Sequence, residues 1–441
     1  MFWNYCIQKL SSQATQSALL KGLTGFCMFI SISLLVRYLG ESGYGIWVLV
    51  FSFSQWGLYF DFGVSNVLKS KIPELLTKKD FEKINGYISE SVKLTLIISI
   101  LLLLLGSVLI YSLNLTSIFN IKLDSEFTQF LFLINGIFFC LNFVLSINKS
   151  LFIGILNPKI AELSATITQI LFLLIVCIFY FALDHLSLPL RLVLISVANG
   201  LSATLINGFY FYSFFRKKSY ALSVFAPINK VISKDIFKNG MQFMIIQTFM
   251  VVIFFSDPYF IASYSSPEEV SIFDVINKLY QLPLLVITSG LASFWPFFSQ
   301  KFHEKDFEWF RDIFKKFERI FLLITIALLF FTVIAKYILQ FWIGKGISDS
   351  IGMSVLFLMT LAILSRVYFT FYANFFNGIN KLKSQIIVMG VTALIKIPLT
   401  VYLLKNGYGL NGIFLQLFIF MLLWALFFRV ESSIVLNKHA K

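Results

Sequence analysis

The stretch LTLIISILLLLLGSVLIYSL, Leu94 to Leu113, runs for twenty residues without a charged side chain. A helix of about 20 residues is about 30 Å long, the hydrocarbon thickness of a bilayer. Inside lipid a backbone satisfies its N–H and C=O groups only as a helix or a closed barrel. Barrel strands alternate polar and apolar residues over about ten positions, and this run does not alternate. It reads as a membrane-spanning helix. Similar blocks fall at about residues 18 to 38, 44 to 66, 89 to 113, 128 to 148, 161 to 183, 190 to 215, 239 to 263, 271 to 297, 319 to 341, 351 to 376, 385 to 404 and 411 to 434. The expected fold class is an all-α integral membrane protein with about 12 transmembrane helices.

Composition points the same way, since the 441 residues are 58% hydrophobic and 13% charged, with 53 Phe. A net charge of +14 would suit nucleic acid in a soluble protein. Here the cations sit in the connections between apolar blocks, so no nucleic-acid partner is expected. Cys6, Cys27, Cys140 and Cys177 show no paired spacing, which argues against a disulfide framework or a metal site. No charged segment with a small-residue cleavage site precedes the first block, so the N-terminus is expected to remain in the mature chain. With a cytoplasmic N-terminus, about 25 of the 36 Lys and Arg fall in inward connections and termini, against about five outside. Both termini are therefore expected in the cytoplasm.

The two halves echo one another. KDFE occurs at Lys79 to Glu82 after span 2 and again at Lys305 to Glu308 after span 8. F-x-G-I-x-x-x-K occurs at Phe152, Gly154, Ile155 and Lys159 after span 4, and at Phe376, Gly378, Ile379 and Lys383 after span 10. Matching ordinal positions imply a parallel six-plus-six repeat. The expected organisation is an N-terminal six-helix bundle over 1–215, a basic cytoplasmic linker over 216–238 and a C-terminal six-helix bundle over 239–441.

RYLGESGYGIWVLVFSFSQWGLYFDFGVSN in spans 1 and 2, and DPYFIASYSSPEEVSIFDVINKLY in spans 7 and 8, carry a family likeness. With the six-plus-six organisation, the chain resembles the Wzx-type O-antigen and polysaccharide repeat-unit flippases of the multidrug/oligosaccharidyl-lipid/polysaccharide exporter superfamily. Members show an arginine before an LG-x-x-x-YG turn and a D-x-G late in span 2, matched here by Arg37, Leu39, Gly40, Tyr44, Gly45, Asp61 and Gly63. An acid in span 7 and a base early in span 8 match Asp257 and Lys278. The resemblance implies two bundles with pseudo-two-fold symmetry around a central cavity, working by alternating access. It also implies a bacterial inner-membrane location and a polyprenyl diphosphate-linked oligosaccharide cargo moved to the periplasmic leaflet for O-antigen or capsule (lipopolysaccharide or polysaccharide) biosynthesis. Membrane lipids and a polysaccharide polymerase are the further partners it suggests.

A charge in hydrocarbon costs a few kcal/mol or more unless it pairs, snorkels or faces water, so depth sorts the ionisable residues. Lys93, Lys336 and Arg429 lie near span ends, where long side chains reach the headgroups. Glu90 and Glu162 lie at span starts, where water is expected. Arg37 and Asp61 mark span ends beside glycines, which favours a tight turn with end-pinning contacts.

Asp257 is deeper, about 9 Å below the outer end of span 7, and Lys278 and Asp274 of span 8 lie at similar depth one helical turn apart. Pro258 cannot donate to the carbonyl of Phe254, so span 7 is expected to open beside the acid. Asp257, Asp274 and Lys278 could form a static pair joining the spans, or a pair that changes partner and couples transport to H+ or Na+. No other cofactor is expected. Arg366 and Lys396 lie in mid-span without an acid at comparable depth in their own spans, suiting them to a diphosphate. Their alternative is bonding to helix carbonyls or lipid phosphates. Trp47, Trp56, Tyr59 and Tyr280 could stack on sugar rings if they face a cavity, although interfacial belts explain most aromatics in such chains.

Phosphate-binding G-x-x-x-x-G-K-[ST], H-E-x-x-H and Ser/His/Asp patterns are missing, and outward loops reach about 15 residues at most. A membrane glycosyltransferase or polymerase is thus disfavoured, and no chemical catalysis is expected. A cation-coupled multidrug antiporter of the same superfamily is the nearer alternative. Its cavity would want uncompensated acids, whereas this chain offers Arg366 and Lys396.

Overall fold

The computed structural model describes residues 2–57, 61, 63–216, 220–292, 294, 298, 301–302, 304–379, 381 and 383–440. In chain order the helices are α1 (Phe2–Gly57), α2 (Val64–Thr77), α3 (Phe81–Ser112), α4 (Leu115–Ile118), α5 (Ser125–Leu145), α6 (Ile147–Gly154), α7 (Pro158–Ala182), α8 (Leu188–Phe215), α9 (Lys230–Phe254), α10 (Asp257–Tyr264), α11 (Pro267–Ala292), α12 (Phe307–Ile343), α13 (Lys345–Ser350), α14 (Met353–Gly378), α15 (Lys383–Lys405) and α16 (Gly409–Ala440). Ten helical stretches among the described residues are long and apolar enough to cross a membrane. α1 holds two of the expected spans, interrupted at Gly40 with φ 71° and ψ 173°. Span 7 is divided between α9 and α10. The chain is an all-α, multi-pass membrane protein with about twelve spanning helices.

The chain divides into two compact units, Met1–Val251 and Val252–Lys441. In the first, α1 packs along α7 with polar contacts at successive turns. Lys21 pairs with Glu162 at 3.3 Å, Thr24 bonds Thr166 at 2.9 Å, and Gln169 donates to Ser31 at 3.2 Å. Asn142 of α5 donates to Thr204 of α8 at 2.9 Å, and Asn207 of α8 donates back to Asn142 at 3.2 Å.

The connection after α8 folds back onto α3. The backbone N–H groups of Ala221 and Ser223 donate to the side chains of Asn85 and Ser89, at 3.0 Å each. Lys93 donates to Glu90 at 2.8 Å and to the carbonyl of Ala226 at 2.8 Å, while Ser233 donates to Glu90 at 2.8 Å. Glu90 and Lys93 are both buried. This corrects the expectation of a wet Glu90 and a snorkelling Lys93: position along a helix sets depth, but the returning connection covers both.

The sequence echoes survive as turn geometry. Lys79 and Lys305 both take positive φ, 54° and 57°. The following Asp80 and Asp306 each cap a long helix, accepting from the N–H of Lys83 and Trp309 respectively. At the second echo, the carbonyls of Phe152 and Phe376 accept from the N–H groups of Asn157 and Lys381 at 2.8 and 3.0 Å. These bonds close the C-terminal turns of α6 and α14.

In the second unit, α14 packs along α11, α12 and α16. Its core is aromatic, with Phe317 and Phe371 stacked at 3.8 Å. Glu318 of α12 accepts from Tyr368 at 2.7 Å and from Arg429 at 3.0 Å, tying three helices together. Arg429 is thus ion-paired as well as exposed.

Candidate functional site

α9 ends at Phe254 and α10 starts at Asp257, with Pro258 in its first turn. Pro258 offers no N–H to the carbonyl of Phe254, and the hydroxyl of Ser256 bonds the carbonyl of Val252 at 2.7 Å instead of extending the helix. The break turns Asp257 into the interior, where it is 3% exposed. Its carboxylate pairs with Lys396 of α15, itself 1% exposed, at 2.5 Å.

Thr392, Lys396 and Thr400 lie four residues apart on α15, which aligns them as one polar stripe. The stripe meets α16. Gln416 receives a hydrogen bond from Thr400 at 2.9 Å, receives a longer one from Lys396 at 3.4 Å, and donates to the Lys396 carbonyl at 2.9 Å. Two turns along α16, Trp424 donates to Thr392 at 2.8 Å.

Arg366 of α14 joins the same place by another route. Its guanidinium lies 4.7 Å from the centre of the Phe254 ring, at the other side of the break. Phe254 meets Trp424 edge to face at 6.4 Å, and Trp424 also packs on Phe369 at 5.0 Å. Asp257, Lys396 and Arg366 are therefore gathered around one interrupted helix.

This corrects the expected partnership. Asp257 pairs with Lys396, whereas Asp274 and Lys278 on α11 are half-buried and outside that pair. Among the described residues Lys278 makes no ion pair. Depth alone could not separate the partners, because it ignores which helix faces which. Lys396 is correspondingly a buried, paired cation in this state. Gln416 was missed, although the Thr392, Lys396, Thr400 spacing in α15 signals a polar face that needs an opposing partner.

The other sequence candidates fall into structural places. Asp61 is buried and accepts from the N–H groups of Gly63 at 2.9 Å and Ser65 at 3.0 Å, starting α2. Gly63 has φ 71°, and a Cβ there would lie 2.4 Å from the carbonyl oxygen of Gly240. Arg37 is exposed, three residues before the Gly40 interruption. Trp47 is buried and stacks on Phe51 at 5.0 Å. Tyr280 is buried and donates to the carbonyl of Leu356 at 3.0 Å. Tyr59 and the side chain of Trp56 lie outside the described residues.

Residues 13–302, well over half of the chain, match the family model described as polysaccharide biosynthesis protein. The chain belongs to the polysaccharide biosynthesis protein family. Residues 243–402, which include the site, also match the MatE model. No curated protein matches in sequence.

Among solved structures, this family member is similar to an inward-facing multidrug resistance MATE family transporter of the MOP superfamily. The TM-score is 0.81 at 16% identity, covering 96% of this chain and 99% of that one. It is also similar to the lipid II flippase MurJ in an inward closed conformation, with a TM-score of 0.71 at 15% identity over 95% and 87% of the chains. A MOP superfamily transporter from Pyrococcus furiosus aligns with a TM-score of 0.62 at 16% identity over 97% of each chain. The fold is that of the MOP superfamily.

Proposed function

We propose that this protein is a flippase. It carries polyprenyl diphosphate-linked oligosaccharide units from the cytoplasmic to the periplasmic leaflet of a bacterial inner membrane, for O-antigen or capsule assembly, by alternating access. The observation that carries this reading is the convergence of Arg366 and Lys396 on an interrupted helix, in a member of the polysaccharide biosynthesis protein family. A diphosphate crossing the bilayer needs cations at depth, and a guanidinium offers it a bidentate fork. The likeness in fold to a lipid II flippase supports a lipid-linked cargo. Asp257 is the carboxylate through which an ion gradient would act, because it can leave Lys396 as the bundle changes state.

A second reading, a multidrug antiporter, draws on the MatE match across the site and on the MATE fold. It accounts less well for two deep cations, Arg366 and Lys396, gathered at the break.

Deleting the gene in its native host and analysing extracted lipids by mass spectrometry tests the choice. Accumulation of polyprenyl diphosphate glycan with loss of surface polymer, both restored by the gene, is expected. Normal intermediates and polymer with altered dye or drug efflux would favour the antiporter.

A further inference from the structure

The connection after α8 carries apolar side chains that its own fold leaves uncovered. From Tyr220 to Phe225 it alternates like a strand. Tyr220, Leu222 and Val224 pack against the buried cluster that holds Leu68, Ile88 and Phe214, while Ala221, Ser223 and Phe225 face outward. Phe225 is fully exposed, and the next two apolar residues at spacings of three, Ile228 and Val231, are 52% and 80% exposed. A single exposed apolar side chain is ordinary on a surface that faces water. A run of them marks a surface with an occupant.

Hydrogen bonds to α3 fix the height of this segment. Ala221 donates to Asn85, Ser223 donates to Ser89, and the carbonyls of Ala226 and Pro227 accept from Lys93 at 2.8 and 3.3 Å. Asn85, Ser89 and Lys93 lie four residues apart, so the connection follows α3 for two turns, about 12 Å. Its far point is at Lys93, the last charged residue before the uncharged run Leu94 to Leu113. From there the chain turns back, and Ser233 in the first turn of α9 donates to Glu90 at 2.8 Å. Phe225 and Ile228 flank that far point. They stand at the level where the apolar run of α3 begins.

The first turns of α9 add charge to the same surface. Lys230, Lys234 and Lys238 recur every four residues on the exposed face, opposite Ile232 and Ile236, which pack toward Val64 and Val67. Lys93 cannot serve as the anchor at this level, because it is buried and bonded to Glu90 and to the connection itself. The exposed lysines take that place.

We infer that residues 225–238 are a lipid-contact surface: Phe225, Ile228 and Val231 enter the acyl and headgroup boundary of the leaflet on the side where α3 begins, and Lys230, Lys234 and Lys238 meet its anionic phosphates. Apolar side chains leave water there, and lysines beside them gain from the negative surface potential of an anionic leaflet. The connection is thereby held between α3 on one side and the leaflet on the other. By the expected orientation this is the cytoplasmic leaflet.

The test uses the wild-type full-length protein in nanodiscs of phosphatidylglycerol or of phosphatidylcholine. Each is doped with a phospholipid of the same headgroup that carries a photoreactive diazirine high on its acyl chain. Trypsin releases Ser219 to Lys230 as one peptide, and mass spectrometry locates the lipid adducts. Adducts at Phe225 to Ile228 are expected, several-fold more abundant in phosphatidylglycerol when normalised to adducts in the run Leu94 to Leu113. Labelling of that run with none on Ser219 to Lys230 would overturn the contact and leave the surface to water or to a protein partner. Equal labelling in the two lipids would overturn the part given to the lysines. Lys234→Gln with Lys238→Gln should reduce the preference for phosphatidylglycerol while the adducts remain, and an unchanged preference would count against those lysines. No cargo is needed, so the outcome is independent of the flippase reading.

Discussion

At the scale of single residues, Asp257 and Lys396 share one fate. Their burial makes either one alone an uncompensated interior charge, and breaking such a pair typically costs about 3–5 kcal/mol. Asp257→Asn and Lys396→Met are each expected to destabilise the protein by roughly that amount, while the double variant recovers most of the loss. Thermal unfolding in detergent across the four-member cycle reads this out, and additive losses would show that the two side chains do not depend on one another. The acid and the lysine were each legible in the sequence as intramembrane charges. Their partnership was not, because 139 positions separate them and depth is shared by several ionisable groups. Gln416 carries no charge, so nothing in its local sequence sets it apart from other polar residues in apolar helices.

At the scale of elements, the repeated KDFE turns out to be a capping device. Lysine in the left-handed region closes one segment, and aspartate opens the next helix. The hydrogen bond from Lys301, followed by that from the Trp309 N–H, holds the Asp306 carboxyl below the usual aspartate range. A group lowered on folding contributes stability above its unfolded pKa and loses it as pH falls through the folded value. The cap should therefore be intact at neutral pH and fade only at pH below the ordinary value of about 3.9. Hydrogen exchange at Phe307 to Phe310, corrected for intrinsic rates, should show protection at neutral pH that Asp306→Ala removes. Equal protection in the variant would mean the turn is held by packing instead. The fold-back of residues 220–229 onto α3 had no such signature. Its bonds run through backbone N–H and C=O groups, which every sequence offers alike.

At the scale of the whole molecule, the distribution of Lys and Arg makes a checkable statement about orientation. Reporter fusions at the N-terminus and after Lys441 should both be active in the cytoplasm, as should fusions in the connection after α8. Periplasmic activity at either end would reverse the assignment. The sequence by itself determined that this chain is a helical membrane protein, where its apolar helices run, and where span 7 breaks. Those features follow from local chemistry: twenty uncharged residues can satisfy their backbone in lipid only as a helix, and a proline cannot donate a hydrogen bond. Tertiary structure alone decided that Asp257 meets Lys396 rather than Lys278, that Arg366 reaches the same break through Phe254, and that Glu90 and Lys93 are buried. Those outcomes depend on which faces of distant helices oppose one another, and a charge's partner is set by that facing rather than by its place along its own helix.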